Sequence, residues 1–435
     1  MASRPNIVFL ISDDHRFDAL GAAGNSAVHT PTMDALAAKG VLMTHACNMG
    51  AQHGAVCMPS RAMIMTGRTL FHLQECGRLL PTSDVTFPEL LRQNGYRTHA
   101  VGKWHSDEAA HVRLFETASS VFFGGMFQNQ WKPEVCERTP DGKGHTKPVL
   151  VERHAAELFA DSAVEFLDGY KDAKPFLMYV AFTSPHDPRT PPKEFLDRYP
   201  ADEIAVPPNF APEHPFDIGL TGGRDEMLAP FPRTPAIVQR HIADYYGMIT
   251  HLDAQIGRIL QALEKNGQAN NTIVVYTADH GLAVGQHGLF GKQNLYDHSI
   301  RVPMILRGPG IPRGKQVDAF CYLLDLYPTF CEMLGIPAPG TVEGKSLVPL
   351  FDGRTDVLRE SMFYAYQSVS RSVRDRRMKL IEHTVNGQRT TQLFDTVADP
   401  FEIQNLANHP ARSADLTRLR TELVRWQKMI DDTVN

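Results

Sequence analysis

The sequence predicts an α/β fold built on a large, mostly parallel β-sheet with helices on both faces. Three observations carry this. Short continuous apolar runs, NIVFLI (6–11) and those inside PFLMYVAFTSPH (175–186) and NTIVVYTADHG (271–281), read as strands buried on both sides. They alternate with amphipathic helical segments, VERHAAELFADSAVEFLDGY (151–170) and IVQRHIADYYGMITHLDAQIGRILQALEKNG (237–267). A chain of 435 residues, 43% hydrophobic and 21% charged, is also long enough for one large α/β domain and a smaller companion.

The elements follow in order. MASRPNIVFLISDDH holds an apolar run that stops at two aspartates; it is too short for a signal peptide's core and lacks a small-residue cleavage site, so it reads as a buried strand. No stretch approaches the ~20 apolar residues of a membrane span. The chain as it stands is expected in the cytoplasm, or in the periplasm or secreted where a leader has been removed, with no membrane partner. PTMDALAAKG (31–40) is helical, with Gly40 as its stop signal. In AVCMPSRAMIMTGR (55–68), Pro59 suits the first turn of a helix running from Ser60 to Met65, which places Cys57 at the positive end, where an anion is favoured. TFPELLRQNGYRTHAVGKWH (86–105) gives helix, glycine turn and strand, and residues 106–150 read as a long irregular region. The Pro- and Gly-rich IPAPGTVEGKS (336–346) marks a join between a catalytic α/β domain over 1–345 and a smaller subdomain over 350–435. That subdomain is expected to carry an antiparallel sheet (FYAYQS, RSVRDRRMKLIEH, TQLFD) closed by the helix ADLTRLRTELVRWQKMIDD.

Charge excludes one class of partner. Lys plus Arg total 44 against 49 Asp plus Glu, a net charge of −5, so no nucleic-acid surface is expected, and RSVRDRRMKL (371–380) reads as a solvated strand or turn. The six cysteines (47, 57, 76, 136, 321, 331) form no CxxC pair, which argues against a zinc cluster or a disulfide framework and leaves all but Cys57 as buried thiols.

In open parallel sheets ligands bind beyond the carboxyl ends of strands. Strand 6–11 ends at Asp13 and Asp14, strand 98–101 at Lys103 and His105, strand 176–182 at His186, and strand 273–277 at Asp279 and His280. All four set chargeable residues at one edge. Asp13, Asp14 and Asp279 offer the oxygen ligands a hard divalent cation wants, with His280 as a nitrogen ligand or a hydrogen-bond donor, and Ca²⁺ tolerates irregular geometry better than Mg²⁺. Lys103, His105, His186 and Lys292 in GKQN (291–294) surround them with positive charge or donors, a setting for a tetrahedral anion. A thiolate phosphatase loop places five residues between Cys and Arg, whereas only Met58, Pro59 and Ser60 separate Cys57 from Arg61.

CMPSRAMIMTGR instead resembles the C-x-P-S-R-x-x-x-x-T-G-R signature of the formylglycine-dependent (type I) sulfatases of the alkaline-phosphatase-like superfamily. NIVFLISDDHRFDALG, GKWH, SPHDP, TADHG, YDHSIRVPMILRGPG, DLYPTFCEMLGIP and QLFDTVADPFEIQNLA look like further landmarks of that family, in family order. The resemblance implies an alkaline-phosphatase-like α/β sandwich and an enzyme that hydrolyses O-sulfate esters, most plausibly on a carbohydrate. It implies Cys57 oxidised to formylglycine by a formylglycine-generating enzyme, and a Ca²⁺, ahead of Mg²⁺ or Mn²⁺, held by Asp13, Asp14, Asp279 and His280 and touching position 57. Arg61 would hold the aldehyde hydrate, Lys103 and Lys292 would clamp sulfate oxygens, His105 would be the base that collapses the sulfate ester, and His186, alone or with Lys292, would protonate the leaving alkoxide. Two departures stand out: Ser106–Asp107 follow GKWH where many members have Leu-Gly, and His280 follows Asp279 where many have Asn.

Further candidates for the pocket are His15, Arg16, Gln52, His53, Arg189, Phe127, Trp131, His287 and His298. The alternatives are an arylsulfatase, a phosphonate monoester or phosphodiester hydrolase using the same modified cysteine, and a non-catalytic binder with Cys57 unmodified, against which the retention of every proposed catalytic residue argues.

Overall fold

The strands of the protein, a computed structural model describing residues 4–220 and 222–434, follow one another as β1 (Asn6–Ser12), β2 (Val41–Cys47), β3 (Gly50–Ala51), β4 (Arg97–Lys103), β5 (Thr117–Phe122), β6 (Glu134–Val135), β7 (Val149–Leu150), β8 (Phe176–Ala181), β9 (Thr272–Ala278), β10 (Met304–Arg307), β11 (Lys315–Tyr322), β12 (Met362–Tyr366), β13 (Ser370–Arg374), β14 (Met378–Val385) and β15 (Gln388–Asp395). Eight of them form the main sheet in the order β11-β2-β10-β9-β1-β8-β4-β5. Every strand but β10 runs the same way.

The apolar runs are continuous because both faces are covered. Ile7, Phe9 and Ile11 of β1 enter one core, against Phe87, Tyr179 and Phe330, and Val8 and Leu10 enter the other, against Phe159, Met178 and Ile256. The helix Ala155–Gly169 packs its stripe Ala156, Phe159, Ala160, Ala163 and Leu167 on that second face, beside the helix Pro235–Lys265. His154 caps the first of these, accepting from Ala156 N–H at 3.2 Å, and Thr234 caps the second, accepting from Ile237 N–H at 3.3 Å.

The smaller sheet, ordered β15-β14-β13-β12-β3, is antiparallel except where β12 pairs with β3 from the N-terminal part of the chain. The helix Ser413–Met429 closes it, burying Leu419, Leu423 and Trp426. The continuous strand expected over 371–383 is two strands. Asp375 Oδ1 accepts the backbone N–H groups of Arg377 and Met378 at 2.8 and 2.7 Å, and this turn folds β14 back on β13. The basic run is solvated only at its turn, Arg376 and Arg377; Arg371, Arg374 and Lys379 are buried, Arg371 on Asp432 at 2.6 Å and the other two on Asp297, each at 2.8 Å. The irregular region expected over 106–150 contains β5 of the main sheet and the β6–β7 ribbon. Cys76 is half-buried, unlike the other cysteines. Among the described residues no helix is long and apolar enough to cross a membrane.

Candidate active site

The strand ends meet at the carboxyl edge of the main sheet. β1 runs straight into Asp13 and Asp14, β9 into Asp279 and His280, and Asp279 N–H donates to Ser12 O at 3.2 Å. In β4 the register against β5 shifts between Val101 and Gly102, and Gly102 takes φ +90°. A Cβ on Gly102 would stand 2.1 Å from Ala181 O, so glycine alone allows β4 to hug β8 while the chain turns Lys103 inward. The buried helix under this edge begins at Cys57 itself and runs to Thr66, with Pro59 in its first turn.

Arg61, one turn along from Cys57, ties the edge together. Its Nε donates to Asp279 Oδ2 at 2.9 Å and its Nη1 to Lys103 O at 3.1 Å, while Nη2 is buried without a hydrogen-bond partner, 4.0 Å from Asp13 Oδ2. Ser60 Oγ donates to Asp279 O at 2.6 Å. Cys57 Sγ lies 3.0 Å from His105 Nδ1 and 3.6 Å from Lys103 Nζ, which also binds Asp13 Oδ2 and Gly125 O. Lys292 Nζ donates to Asp14 Oδ1 at 2.8 Å, and His186 Nε2 stands 3.9 Å from Asp14 Oδ2. All ten residues assigned to the site are thus within one cluster, beside a cleft of about 560 Å³ that Cys57, His105, His186 and Lys292 line.

The electrostatics are those of a site built for opposite charges. Burial pushes the Cys57 thiol up, but Lys103 and His105 outweigh it and hold it well below its ordinary value. Burial likewise opposes ionisation of Asp13, and Lys103 and His186 more than compensate. Asp279 goes the other way, raised by burial and by the neighbouring Asp13 charge. His280 is lifted to about 9 because Asp279 and Asp14 overcome its burial.

The donor set fits a divalent cation. Asp13, Cys57, Asp279 and His280 each bring one ligand atom, all within 4.8 Å of one another. Asp13 Oδ1 and His280 Nε2 are buried with no hydrogen-bond partner, 3.6 Å apart, and Asp279 Oδ1 is 3.5 Å from the same nitrogen. Such separations suit atoms sharing a cation at about 2.3–2.6 Å. A cation there would also let Asp13 and Asp279 ionise together. Asp14 stands to one side, grouped with Asp13 and His186.

The remaining candidates separate cleanly from the cleft. His15 is locked between Tyr276 OH at 2.5 Å and Ala19 O at 2.8 Å, and the Phe127 ring packs tilted against Phe122. Arg16 and His298 line a separate cavity of about 440 Å³, and His287 stacks on Tyr296 and bonds Glu402 O at 3.0 Å. His53 Nδ1 accepts from Ala55 N–H at 3.0 Å, Trp131 donates to Thr190 O at 3.0 Å, and Arg189 lies over Tyr245. Neither these three nor Gln52 is among the residues lining the cleft. Asp187, Arg224, Asp225 and Gln293, which surround His186 and Lys292, were not among the expected site residues; Asp187 and Gln293 lie inside the SPHDP and GKQN motifs, and three consecutive charges after Gly222–Gly223 were the signal for Arg224 and Asp225.

An α/β sandwich whose strand ends gather a metal-competent acidic group, a buried cysteine and several cations around one cleft defines a hydrolase of anionic esters. Comparison with known proteins agrees. The Sulfatase family model matches residues 5–336, and that for the C-terminal part of N-sulphoglucosamine sulphohydrolase matches residues 285–429. The chain belongs to the sulfatase family, whose members hydrolyse sulfuric esters. It is 28% identical to an N-acetylglucosamine-6-O-sulfatase of Bacteroides thetaiotaomicron, over 98% of this chain and 87% of the relative. A solved structure described as a complex with its substrate D-glucosamine-2-N,6-O-disulfate is 25% identical, with TM-score 0.81 over 99% of both chains. The fold is shared with a phosphonate monoester hydrolase of Agrobacterium radiobacter, at 23% identity and TM-score 0.79 over 98% of this chain and 96% of that one.

Proposed function

We propose that the protein hydrolyses O-sulfate esters of a carbohydrate, with Cys57 converted to formylglycine and a Ca²⁺ held by Asp13, Asp14, Asp279 and His280. The observation that carries this reading is the position of Cys57 Sγ, which at once belongs to the four-residue metal group and touches His105 and Lys103. The relatives' named substrates support a sugar, and a 6-O-sulfated glucosamine is the first to test.

Bound Ca²⁺ would supply positive charge to a sulfate oxygen and to the nucleophile. The chain's own groups do the rest. Arg61, its Nη2 unused, would pair with the negative charge of the hydrated aldehyde at position 57. Lys103 and Lys292 would turn from Asp13 and Asp14 to the sulfate oxygens. His105 would take the proton from the geminal hydroxyl as sulfate leaves, and His186 Nε2, with Lys292 beside it, would give one to the sugar oxygen.

The second reading is a phosphonate monoester or phosphodiester hydrolase: such an ester carries the same single negative charge as a sulfate monoester, and a phosphonate monoester hydrolase shares the fold.

The test is direct. The protein, produced with a formylglycine-generating enzyme, is expected to yield a residue-57 peptide lighter by the difference between CH₂SH and CHO and reactive toward hydrazides, and to release sulfate from one member of a defined panel of sulfated saccharides. Chelation is expected to abolish turnover and lower the Tm, and Ca²⁺ to restore both. An unmodified cysteine in fully active protein, or activity surviving verified metal removal, refutes the mechanism; faster cleavage of the matched phosphonate than of the sulfate moves the enzyme to the second reading.

A further inference from the structure

Two loops carry His186 and Lys292, and a third segment, Arg224–Asp225–Glu226, is bonded to both. Arg224 Nη1 donates to Asp187 Oδ1 at 3.2 Å and its Nη2 to Asp187 Oδ2, while Nη1 also reaches Asp225 Oδ1 at 2.6 Å. The Asp187 carboxylate, buried, stands 3.2 Å from His186 Nδ1, which also bonds the Asp187 carbonyl at 2.8 Å. Both are acceptors, so the hydrogen of Nδ1 is committed to them and Nε2 is the nitrogen turned to the cleft.

The other two residues hold the second loop. Asp225 Oδ2 accepts from Gln293 Nε2 at 2.8 Å, and Gln293 Oε1 accepts the backbone N–H of Lys292 at 3.0 Å. The same Gln293 amide donates to Gly54 O at 3.2 Å, just ahead of the nucleophile helix. Glu226 accepts the N–H groups of Phe290 and Gly291 at 3.1 and 3.0 Å, with Arg233 as its counter-charge at 2.7 Å. Arg224 does line the cleft, but two carboxylates already take up its fork, which argues against a free receptor for a second substrate anion.

We infer that Arg224, Asp225 and Glu226 form a positioning clamp that sets His186 and Lys292 in fixed relation on the leaving-group side of the cleft. It rests on the proposed function only for the identity of the ester. Through Asp187 and His186 the clamp acts where the departing oxygen needs a proton and is idle where it does not; through Lys292, which also grips the sulfate, it bears on every ester.

Its test compares leaving groups. In Arg224→Met, kcat for a sugar 6-sulfate is expected to fall about 10–100-fold with KM changed less than about 3-fold, and kcat for 4-nitrophenyl sulfate less than about 3-fold. Arg224→Lys, keeping charge but not the fork, should recover part of the loss. Asp225→Asn, which loosens the Lys292 loop, should slow the sugar ester and the aryl ester alike. Should Arg224→Met fail to fold, by its urea midpoint, Arg224→Lys and Asp225→Asn carry the test. In the Arg224 variants an equal fall for both esters, or a rise in KM alone, overturns the clamp, the second outcome making Arg224 a substrate contact; wild-type rates on both esters in Asp225→Asn overturn it too. If the wild type cleaves phosphodiesters and not sulfates, the proposed function fails, and the same contrast between alkyl and nitrophenyl phosphodiesters decides the clamp.

Discussion

At the scale of single residues, His105 is placed by what is missing beside it. Its backbone takes φ +60°, and a Cβ on Gly125 would stand 2.9 Å from its Cε1 and Nε2. Gly125→Ala is therefore expected to displace the imidazole from Cys57 and cost about 10²-fold in turnover while the protein stays folded, since misplacing a catalytic group by an ångström has effects of that order. Unchanged kcat would show that His105 tolerates the shift. Arg61 is the second case. Arg61→Met leaves Asp279 buried without its guanidinium, a loss of about 3–5 kcal/mol by urea denaturation. Saturating Ca²⁺ should shrink that loss, because the cation supplies the missing charge; an equal loss with and without Ca²⁺ would separate Asp279 from the metal. Cys57 and Arg61 were legible because they share one short contiguous motif, and Asp13–Asp14, Lys103 and Asp279–His280 because each directly follows an apolar strand run. Asp187 and Arg224 were not, because their meaning is a contact between residues 37 apart in the chain.

At the scale of elements, the sequence announced long apolar runs well and short or twisted strands poorly. β1, β8 and β9 were evident. β2 and β11, mixing polar residues into their runs, and the four-residue β10 were not. The split of β13 from β14 was hidden because alternation continues across it, and only the Asp375 turn breaks the strand. The landmark YDHSIR carries no site residue; its Asp297 is a structural knot. That carboxylate binds Arg374 at 2.8 Å, Lys379 at 2.8 Å and Arg301 at 3.3 Å, and its backbone N–H donates to Glu402 at 2.7 Å. Burial pushes Asp297 up, yet Arg374 and Lys379 hold it well below the usual carboxylate range. Asp297→Ala strands the buried Arg374 between the small sheet and the loop that follows the site, Lys379 keeping Glu402 at 2.6 Å, so about 3–5 kcal/mol of stability should go. A urea midpoint within error of the wild type would show that the knot is solvated or dispensable.

At the scale of the whole molecule, the same burial that makes the sheet stable makes it sensitive to acid. His99, His154, His251 and His383 lie in packed surroundings away from the cleft, and burial lowers them to about 3, about 4, about 2 and about 4. His251 is the plainest: both ring nitrogens lack a hydrogen-bond partner, and Glu157 at 3.4 Å lacks the geometry to make one. Each ring is neutral in the folded chain and takes a proton near pH 6.5 once unfolded. The unfolded state thus binds more protons below that pH, so stability is complete above about 6.5 and is lost as pH falls toward the folded values. Four such groups together give a slope on the order of 5 kcal/mol per pH unit near pH 5. Asp253, raised to about 6 by burial, opposes it: its contribution is present at low pH and lost as pH rises through 6. The net expectation is a urea midpoint that drops steeply between pH 6.5 and 5. His251→Leu, which leaves no buried donor behind, should cost little at pH 7.5 and flatten the slope by about one proton. A midpoint constant across that range, or a slope untouched by His251→Leu, would mean that these rings are already protonated or solvated in the folded protein.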